Sequence, residues 1–247
     1  MKRSLLIFAF FPFFTLAQTS TGTINTDSSK NVSFIKYYTK IIGQQPNDAS
    51  AYYKRANAKF NLNDFTGSIP DFNQAIVLNA QYEEAYLGRG RAKYAIKEYQ
   101  GSINDYTQTI ALNPKSSAAF YNRGLAKQHL EDFKAAMVDY NLAINIDSKD
   151  GDFYNELGIC KKRLQDYKGA IENFTQAISL KPKDNVPYYN RGLSKNEIKD
   201  YKGAIDDFTQ AVTLQPNDED AYYSRGDSKR ALEDYSGAIE DYNKVIT

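Results

Sequence analysis

The chain has 247 residues, 42% of them apolar, with 31 Lys and Arg against 30 Asp and Glu, one Cys and one His. That balance excludes disordered, collagen-like and disulfide-framework chains, and a formal net charge of +1 gives no global attraction to nucleic acid or to an anionic membrane. One Cys cannot close an internal disulfide and one His cannot build a His-rich metal site, so neither metal nor cofactor is expected.

Residues 1–17 open with Lys2 and Arg3, continue through an apolar run from Leu5 to Leu16, and end in Thr15-Leu16-Ala17 before Gln18. This reads as a secretory signal peptide: the run is short for a membrane span and Pro12 interrupts it. The implied product is exported and has no membrane span after cleavage, placed in a periplasm or cell envelope on the assumption of a bacterial source. Residues 18–30, QTSTGTINTDSSK, have almost nothing to bury and read as a flexible linker. Residues 31–48 carry a helical apolar pattern and read as an N-terminal capping helix, in which Tyr38 and Pro46 share the spacing of the units that begin at Ala49.

From Ala49 the sequence returns every 34 residues, as AYYKRANAKF, AYLGRGRAKY, AFYNRGLAKQ, FYNELGICKK, PYYNRGLSKN and AYYSRGDSKR. The six units are 49–82, 83–116, 117–150, 151–184, 185–218 and 219–247, with no insertion or deletion. Numbering each from 1 to 34, positions 4, 17 and 24 are Tyr or Phe throughout, which absorbs 18 of the chain's 34 aromatics. Positions 4, 7, 8, 11 and 14 follow a helical period, as do 17, 20, 21, 24, 27 and 28. An acidic residue at 16 in every unit is placed to cap the second helix, and Pro46, Pro114, Pro182 and Pro216 at 32 close a unit. Position 8 is Gly in five units and Ala56 in the first, and position 20 is Ser or Ala, so the paired helices can approach closely. Each unit is therefore a helical hairpin. Pro70, at position 22, predicts a late start or a kink in the second helix of unit 1.

The period, the aromatics at 4 and 24, the Gly at 8, the small residues at 20 and 27 and the Pro at 32 resemble the tetratricopeptide repeat. The resemblance covers residues 49–247 plus a half unit before them. It implies an all-α, right-handed superhelical solenoid of helix-turn-helix repeats whose concave face, lined by first helices, receives a peptide or protein. Carrying over the family's concave positions gives Tyr53, Asn57, Phe60, Leu87, Arg91, Tyr94, Tyr121, Leu125, Gln128, Asn155, Ile159, Lys162, Tyr189, Leu193, Asn196, Tyr223, Asp227 and Arg230, with His129 and Arg163 beside them. These vary between units where the core columns do not. The family's carboxylate clamp uses Lys at 5 and Asn at 9, and no unit here has Lys at 5.

Position 7, commonly apolar in the family, is Arg in five units and Leu157 in the fourth, while position 11 is Lys in all six. Position 23 is Asp in five units and Asn173 in the fourth, so both exceptions fall in one repeat. The expectation is an ion pair across each hairpin, Arg55 with Asp71 for instance, whose joint loss spares unit 4 an unpaired buried charge. Because carboxylates at 16 and 23 match the cations almost one for one, the rows do not form a basic track, and no nucleic-acid partner is expected. Cys160 stands where other units have Ala or Ser and reads as a small buried residue; His129 has no repeated partner. No polar cluster unique to one repeat is legible, so no enzyme is expected.

At the C-terminal end Tyr242, Val245 and Ile246 keep the apolar pattern that inner units use against a successor, which predicts partner docking or homo-oligomerisation at that edge. The sequence as a whole reads as an exported, non-catalytic scaffold or adaptor for a protein or peptide. Two alternatives are a glycan or cell-wall binder using the groove tyrosines, and an accessory subunit docked through the C-terminal edge.

Overall fold

A computed structural model describes residues 28–246, which form thirteen α-helices and no strand. The segments read as signal peptide and linker, up to residue 27, the side chain of Ile246 and Thr247 lie outside the described residues. Helix α1 spans Ser28–Gln44. It is followed by six pairs: α2 (Ala49–Asn61) with α3 (Phe65–Leu78), α4 (Glu83–Ala95) with α5 (Tyr99–Leu112), α6 (Ser117–His129) with α7 (Phe133–Ile146), α8 (Gly151–Arg163) with α9 (Tyr167–Leu180), α10 (Asn185–Glu197) with α11 (Tyr201–Leu214), and α12 (Glu219–Ala231) with α13 (Tyr235–Ile246). First helices run from position 1 to 13 and second helices begin at position 17, so the repeat numbering is the structural register.

Each helix packs on its sequence neighbours, and the first helices of successive units, α2 through α12, also touch one another. Among the described residues no two second helices touch. The stack therefore curves, with first helices on the inside and second helices outside. The result is an all-α solenoid whose core is repeated from unit to unit.

Two local devices make the hairpin. Asp64, Asp132, Asp166, Asp200 and Asp234 at position 16 accept a hydrogen bond from the backbone N–H of position 19 at 2.9–3.1 Å, each satisfying an orphan donor of the second helix. Glu98, one methylene longer, makes no such bond. Before it, position 15 adopts a left-handed backbone in every unit, with φ of 61° to 65° at Asn63, Lys97, Glu131, Gln165, Lys199 and Glu233. The N–H of position 16 then returns to the carbonyl of position 11, as from Asp64 to Lys59 at 3.0 Å, closing the first helix.

Two expectations are corrected. Helix α3 begins at Phe65, in register with every other second helix, so Pro70 does not delay it. Asp64 holds the first turn, and the exposed Pro70 forgoes only the bond to the Thr66 carbonyl. Residues 28–30, read as linker, are the first turn of α1, where Lys30 lies 5.8 Å from the Phe34 ring one turn on.

The aromatic of position 24 is the centre of each unit: Phe72, Tyr106, Tyr140, Phe174 and Phe208 are essentially inaccessible. Glycine at position 8 makes room for it. A methyl added at Gly90, Gly124, Gly158, Gly192 or Gly226 would meet the ring of its own unit at 2.6–2.7 Å. In unit 1, where position 8 is Ala56, the Phe72 ring also lies against the neighbouring unit, 2.6 Å from where a methyl on Gly88 would be. Unit 2 therefore carries two such glycines, Gly88 for the Phe72 ring and Gly90 for its own Tyr106 ring.

The predicted ion pairs form in all five units. Arg55, Arg89, Arg123, Arg191 and Arg225 grip Asp71, Asp105, Asp139, Asp207 and Asp241 through Nε at 2.8–3.0 Å and a terminal nitrogen at 2.5–2.7 Å. The Lys of position 11 joins the same carboxylate at 2.7–2.9 Å. Each aspartate is buried, and at Asp71 and Asp241 burial raises the carboxyl pKa but the Arg and Lys bonds outweigh it, leaving the group below its ordinary range. The other guanidinium nitrogen reaches back to position 25 of the preceding unit: Thr39, Asn73, Thr107, Thr175 and Thr209. One arginine thus ties two units together as well as two helices. The junction of units 3 and 4 lacks this tie, because Leu157 and Asn173 replace the pair. Asn173 instead donates to the Gly169 carbonyl at 2.6 Å.

Candidate functional site on the inner face

Position 5 carries the most prominent inner-face residues. Tyr53, Tyr121, Tyr189 and Tyr223 each lean on the position-24 ring of their own unit, with centroids 5.7–6.1 Å apart. Tyr53 also meets Tyr82 at 4.9 Å, and Tyr121 meets Phe153 at 5.0 Å. These contacts fix the rings in place; Tyr223 keeps 54% of its surface exposed, and Tyr53, Leu87 and Tyr189 are half-buried. At positions 9 and 12, Asn57, Arg91, Tyr94, Gln128, Ile159, Lys162, Leu193, Asn196 and Asp227 are half-buried and Arg230 is exposed. Four residues carried over as concave, Phe60, Tyr121, Leu125 and Asn155, are buried in the free chain and leave a ligand little surface to touch.

The chemistry changes along the stack. At the N-terminal end Arg91 lies 4.9 Å over the Phe60 ring, and burial holds its guanidinium below the ordinary arginine range. Next, Tyr94, Tyr99 and His129 form a ring cluster in which His129 stacks on Tyr99 at 4.7 Å with planes 2° apart. Burial, then Lys97, push His129 below the ordinary histidine value, so it is a neutral ring at neutral pH. At the C-terminal end Asp227 accepts from Tyr242 Oη at 2.9 Å and from Arg230 at 3.0 Å, while Asn196 accepts from Ser228 at 2.9 Å. Tyr242 and Val245 are half-buried there, and Tyr235 and Ile239 are 61% and 59% exposed.

The middle of the face holds a connected polar network that spans units 3 to 5. Glu156, 1% exposed, accepts from Gln128 Nε2 at 3.0 Å and from Asn155 Nδ2 at 3.2 Å. The Gln128 carbonyl oxygen in turn accepts from Tyr140 Oη at 2.8 Å and Cys160 Sγ at 3.2 Å. On the other side Asn155 Oδ1 accepts from Asn190 at 3.4 Å, and Asn190 Oδ1 accepts from Lys162 Nζ at 3.1 Å. A carboxylate and an ammonium are thereby joined by two carboxamides aligned head to tail. Burial pushes Glu156 up to about 7 against the pull of its two donors, and Lys162 down to about 8. Cys160 is pushed up to about 12, so it is an inert thiol. Sequence reading missed this network because its members sit at positions 5, 6, 10, 12 and 24 and are spread over three units. Glu156 occupies a column otherwise filled by Lys54, Gly88, Asn122, Asn190 and Ser224, which carries no signal of burial.

Among the described residues no group of three or more His, Cys, Asp or Glu could hold a metal ion, and no helix is long and apolar enough to cross a membrane. Tetratricopeptide-repeat family models match residues 53–106, 87–152, 151–184 and 189–247. The chain belongs to the tetratricopeptide-repeat (TPR) family. Curated proteins include no significant match. Among solved structures this TPR chain is similar to YrrB, described as a TPR protein with an unusual peptide-binding site, at 20% identity over 76% of this chain and 97% of that one, with a TM-score of 0.66. It is similar to MamA at 19% identity, 64% and 92% coverage and a TM-score of 0.61. A TPR protein from Parabacteroides merdae gives 19% identity, 89% and 87% coverage and 0.68. At these identities the likeness is one of fold. The TPR fold supports a role as a protein–protein interaction scaffold.

Proposed function

We propose that this TPR protein is a non-catalytic adaptor, exported to a bacterial envelope, that holds a peptide or protein partner along its first-helix face. The observation that carries this reading is the contrast between columns: ion-pair and aromatic core positions repeat unit after unit, while positions 9 and 12 differ in nearly every unit and, with Tyr53, Tyr189 and Tyr223 of position 5, keep partly exposed aromatic and polar side chains. A regular scaffold with an irregular inner lining is what recognition of one extended partner requires. Cys160 fits the same reading: its thiol is buried and its proton tightly held.

The test is site-specific photocrosslinking from position 189, replacing Tyr189, in cells of the native host. A discrete protein adduct, lost when Tyr53 and Tyr223 are changed to Ala with the crosslinker kept at position 189, is the expected outcome. Retention on wall polysaccharide with no protein adduct would replace the adaptor by the glycan reading. A protein adduct that survives the tyrosine changes but disappears on altering Val245 would move the contact to the C-terminal edge. Export is tested separately by the N-terminal sequence of the mature protein, expected to start at Gln18; an intact Met1 in the cytoplasmic fraction would exclude it.

A further inference from the structure

The Tyr94, Tyr99 and His129 cluster occupies positions 12 and 17 of unit 2 and position 13 of unit 3, and its three rings contact one another. Two units further on the same three addresses hold Lys162, Tyr167 and Glu197. Two of the three rings are gone, and in their place is a cavity of about 360 Å³ lined by Lys162, Arg163, Gln165, Tyr167, Leu193 and Glu197.

The cations on its wall differ from those of the repeated ion-pair columns. At positions 7 and 11 the arrangement Arg–Asp–Lys neutralises every Arg and all Lys but one, and Arg230 is paired with Asp227. Lys162 and Arg163 make no ion pair among the described residues, and the hydrogen bond of Lys162 is to the neutral Asn190 carboxamide at 3.1 Å. That bond aims the ammonium, because Asn190 is itself held through Asn155 by the Glu156 end of the network. Burial, with Arg163 adding to it, pulls Lys162 down to about 8, so its proton is held weakly until an anion arrives. Leu193 and the Tyr167 ring supply apolar wall, and Glu197 supplies a single opposing charge.

Building on the reading of the inner face as peptide-binding, we infer that this crevice takes a carboxylate on an aliphatic stem, the side chain of an acidic residue in the bound segment. The carboxylate meets Lys162 and Arg163, and its methylenes lie on Leu193 and Tyr167. A doubly charged phosphate is disfavoured by Glu197, and a bare inorganic anion leaves the apolar wall uncovered.

The full chain is titrated with acetyl-Gly-Glu-Gly-amide, with its Gln counterpart, with acetyl-Gly-Gln-Gly bearing a free C-terminal carboxylate, and with inorganic phosphate, reading the methyl resonances of Leu193. The Glu probe should shift them saturably and bind at least about tenfold more tightly than the Gln probe, as expected for a charge-assisted hydrogen bond. Lys162→Met and Lys162→Gln, checked by circular dichroism for intact helices, should each lose about that factor. Calorimetry at pH 8 in two buffers of different ionisation enthalpy should show proton uptake on binding, absent in both variants. Equal binding of Glu and Gln probes, undiminished binding in folded Lys162 variants, or tighter binding of phosphate or of the free terminus would each overturn the assignment. A Tyr189 crosslink retained while the Glu probe fails sinks the crevice and leaves the adaptor standing; loss of both sinks the adaptor as well.

Discussion

The buried triads are the most direct place to perturb this molecule, and unit 3 offers the sharpest version. Asp139 is 1% exposed and accepts from Arg123 Nε at 3.0 Å, Arg123 at 2.7 Å and Lys127 at 2.8 Å. Asp139→Asn removes the charge and leaves two cations one turn apart with side chains only 15% and 21% exposed. Removing one partner of a buried pair costs roughly 3–5 kcal/mol; partial exposure of the cations puts this case at the lower end, about 3 kcal/mol. For an array of this size that is a fall in Tm of about 6–12 °C. The double variant Arg123→Leu/Asp139→Asn recreates the residues that unit 4 carries naturally as Leu157 and Asn173, and should recover more than half of the loss. Urea denaturation followed by circular dichroism, with hydrogen exchange reporting α6 and α7 separately, measures both, since a repeat array need not unfold in one step. A single-variant cost under about 1 kcal/mol, or a double variant as unstable as the sum of its parts, would refute the claim that the two exceptions in unit 4 compensate one another.

Three further outcomes are expected. Gly124→Ala places a methyl 2.6 Å from the Tyr140 ring, which is fully buried and tied to Gln128; overpacking should outweigh the gain in helix propensity and cost about 1–2 kcal/mol by chemical denaturation, and a neutral change would show that the ring is free to shift. Gln165→Gly, at φ of 63°, should stabilise by about 1 kcal/mol because glycine bears no left-handed penalty; destabilisation would mean that the Gln side chain contributes more than its backbone costs. Glu156 has its folded-state pKa raised from 4.5 to about 7, so the protonated form is the one favoured in the fold. Its contribution to stability is fully present below pH about 4.5 and is lost as pH rises through about 7, amounting to roughly 3 kcal/mol across that window. Stability measured from pH 5 to 8 should show this fall, and Glu156→Gln should flatten it; an identical slope in the variant would assign the pH dependence to other groups.

The period, the helix register and the Arg–Asp pairing were legible because each is written several times over. A column of five arginines opposite five aspartates, broken in the same repeat, carries geometric information that no single pair could. Three features were not. The left-handed residue at position 15 is Asn in unit 1 but Lys, Glu or Gln elsewhere, types that give no turn signal; the hydrogen bond closing the first helix imposes the conformation. Of the late start or kink expected at Pro70, the late start did not occur, because the cap at Asp64 fixes the helix start from outside the proline's reach. The Glu156 network and the Lys162 crevice are the reverse of a repeat: most of their members come from columns with no consistent residue type, and only the superposition of neighbouring units brings them together. Asn155 and Lys162 were read as inner-face residues, but what joins them is Asn190, from the next unit.

The seating of Phe72 against Gly88 has a consequence for anyone who treats such a chain as interchangeable bricks. Unit 1 fills a notch cut in unit 2 at Gly88, and unit 2 presents that notch to no other ring. Transplanting unit 3 into the first place would bring a glycine where Ala56 stands and seat its own aromatic there, leaving Gly88 facing a void. Placing a copy of unit 1 ahead of unit 5 would drive its Phe ring into Asn190 and through it into the Lys162 relay. The order of the modules is thus inscribed in the joints between them, and a shuffled array would lose fit even though every brick in it is native.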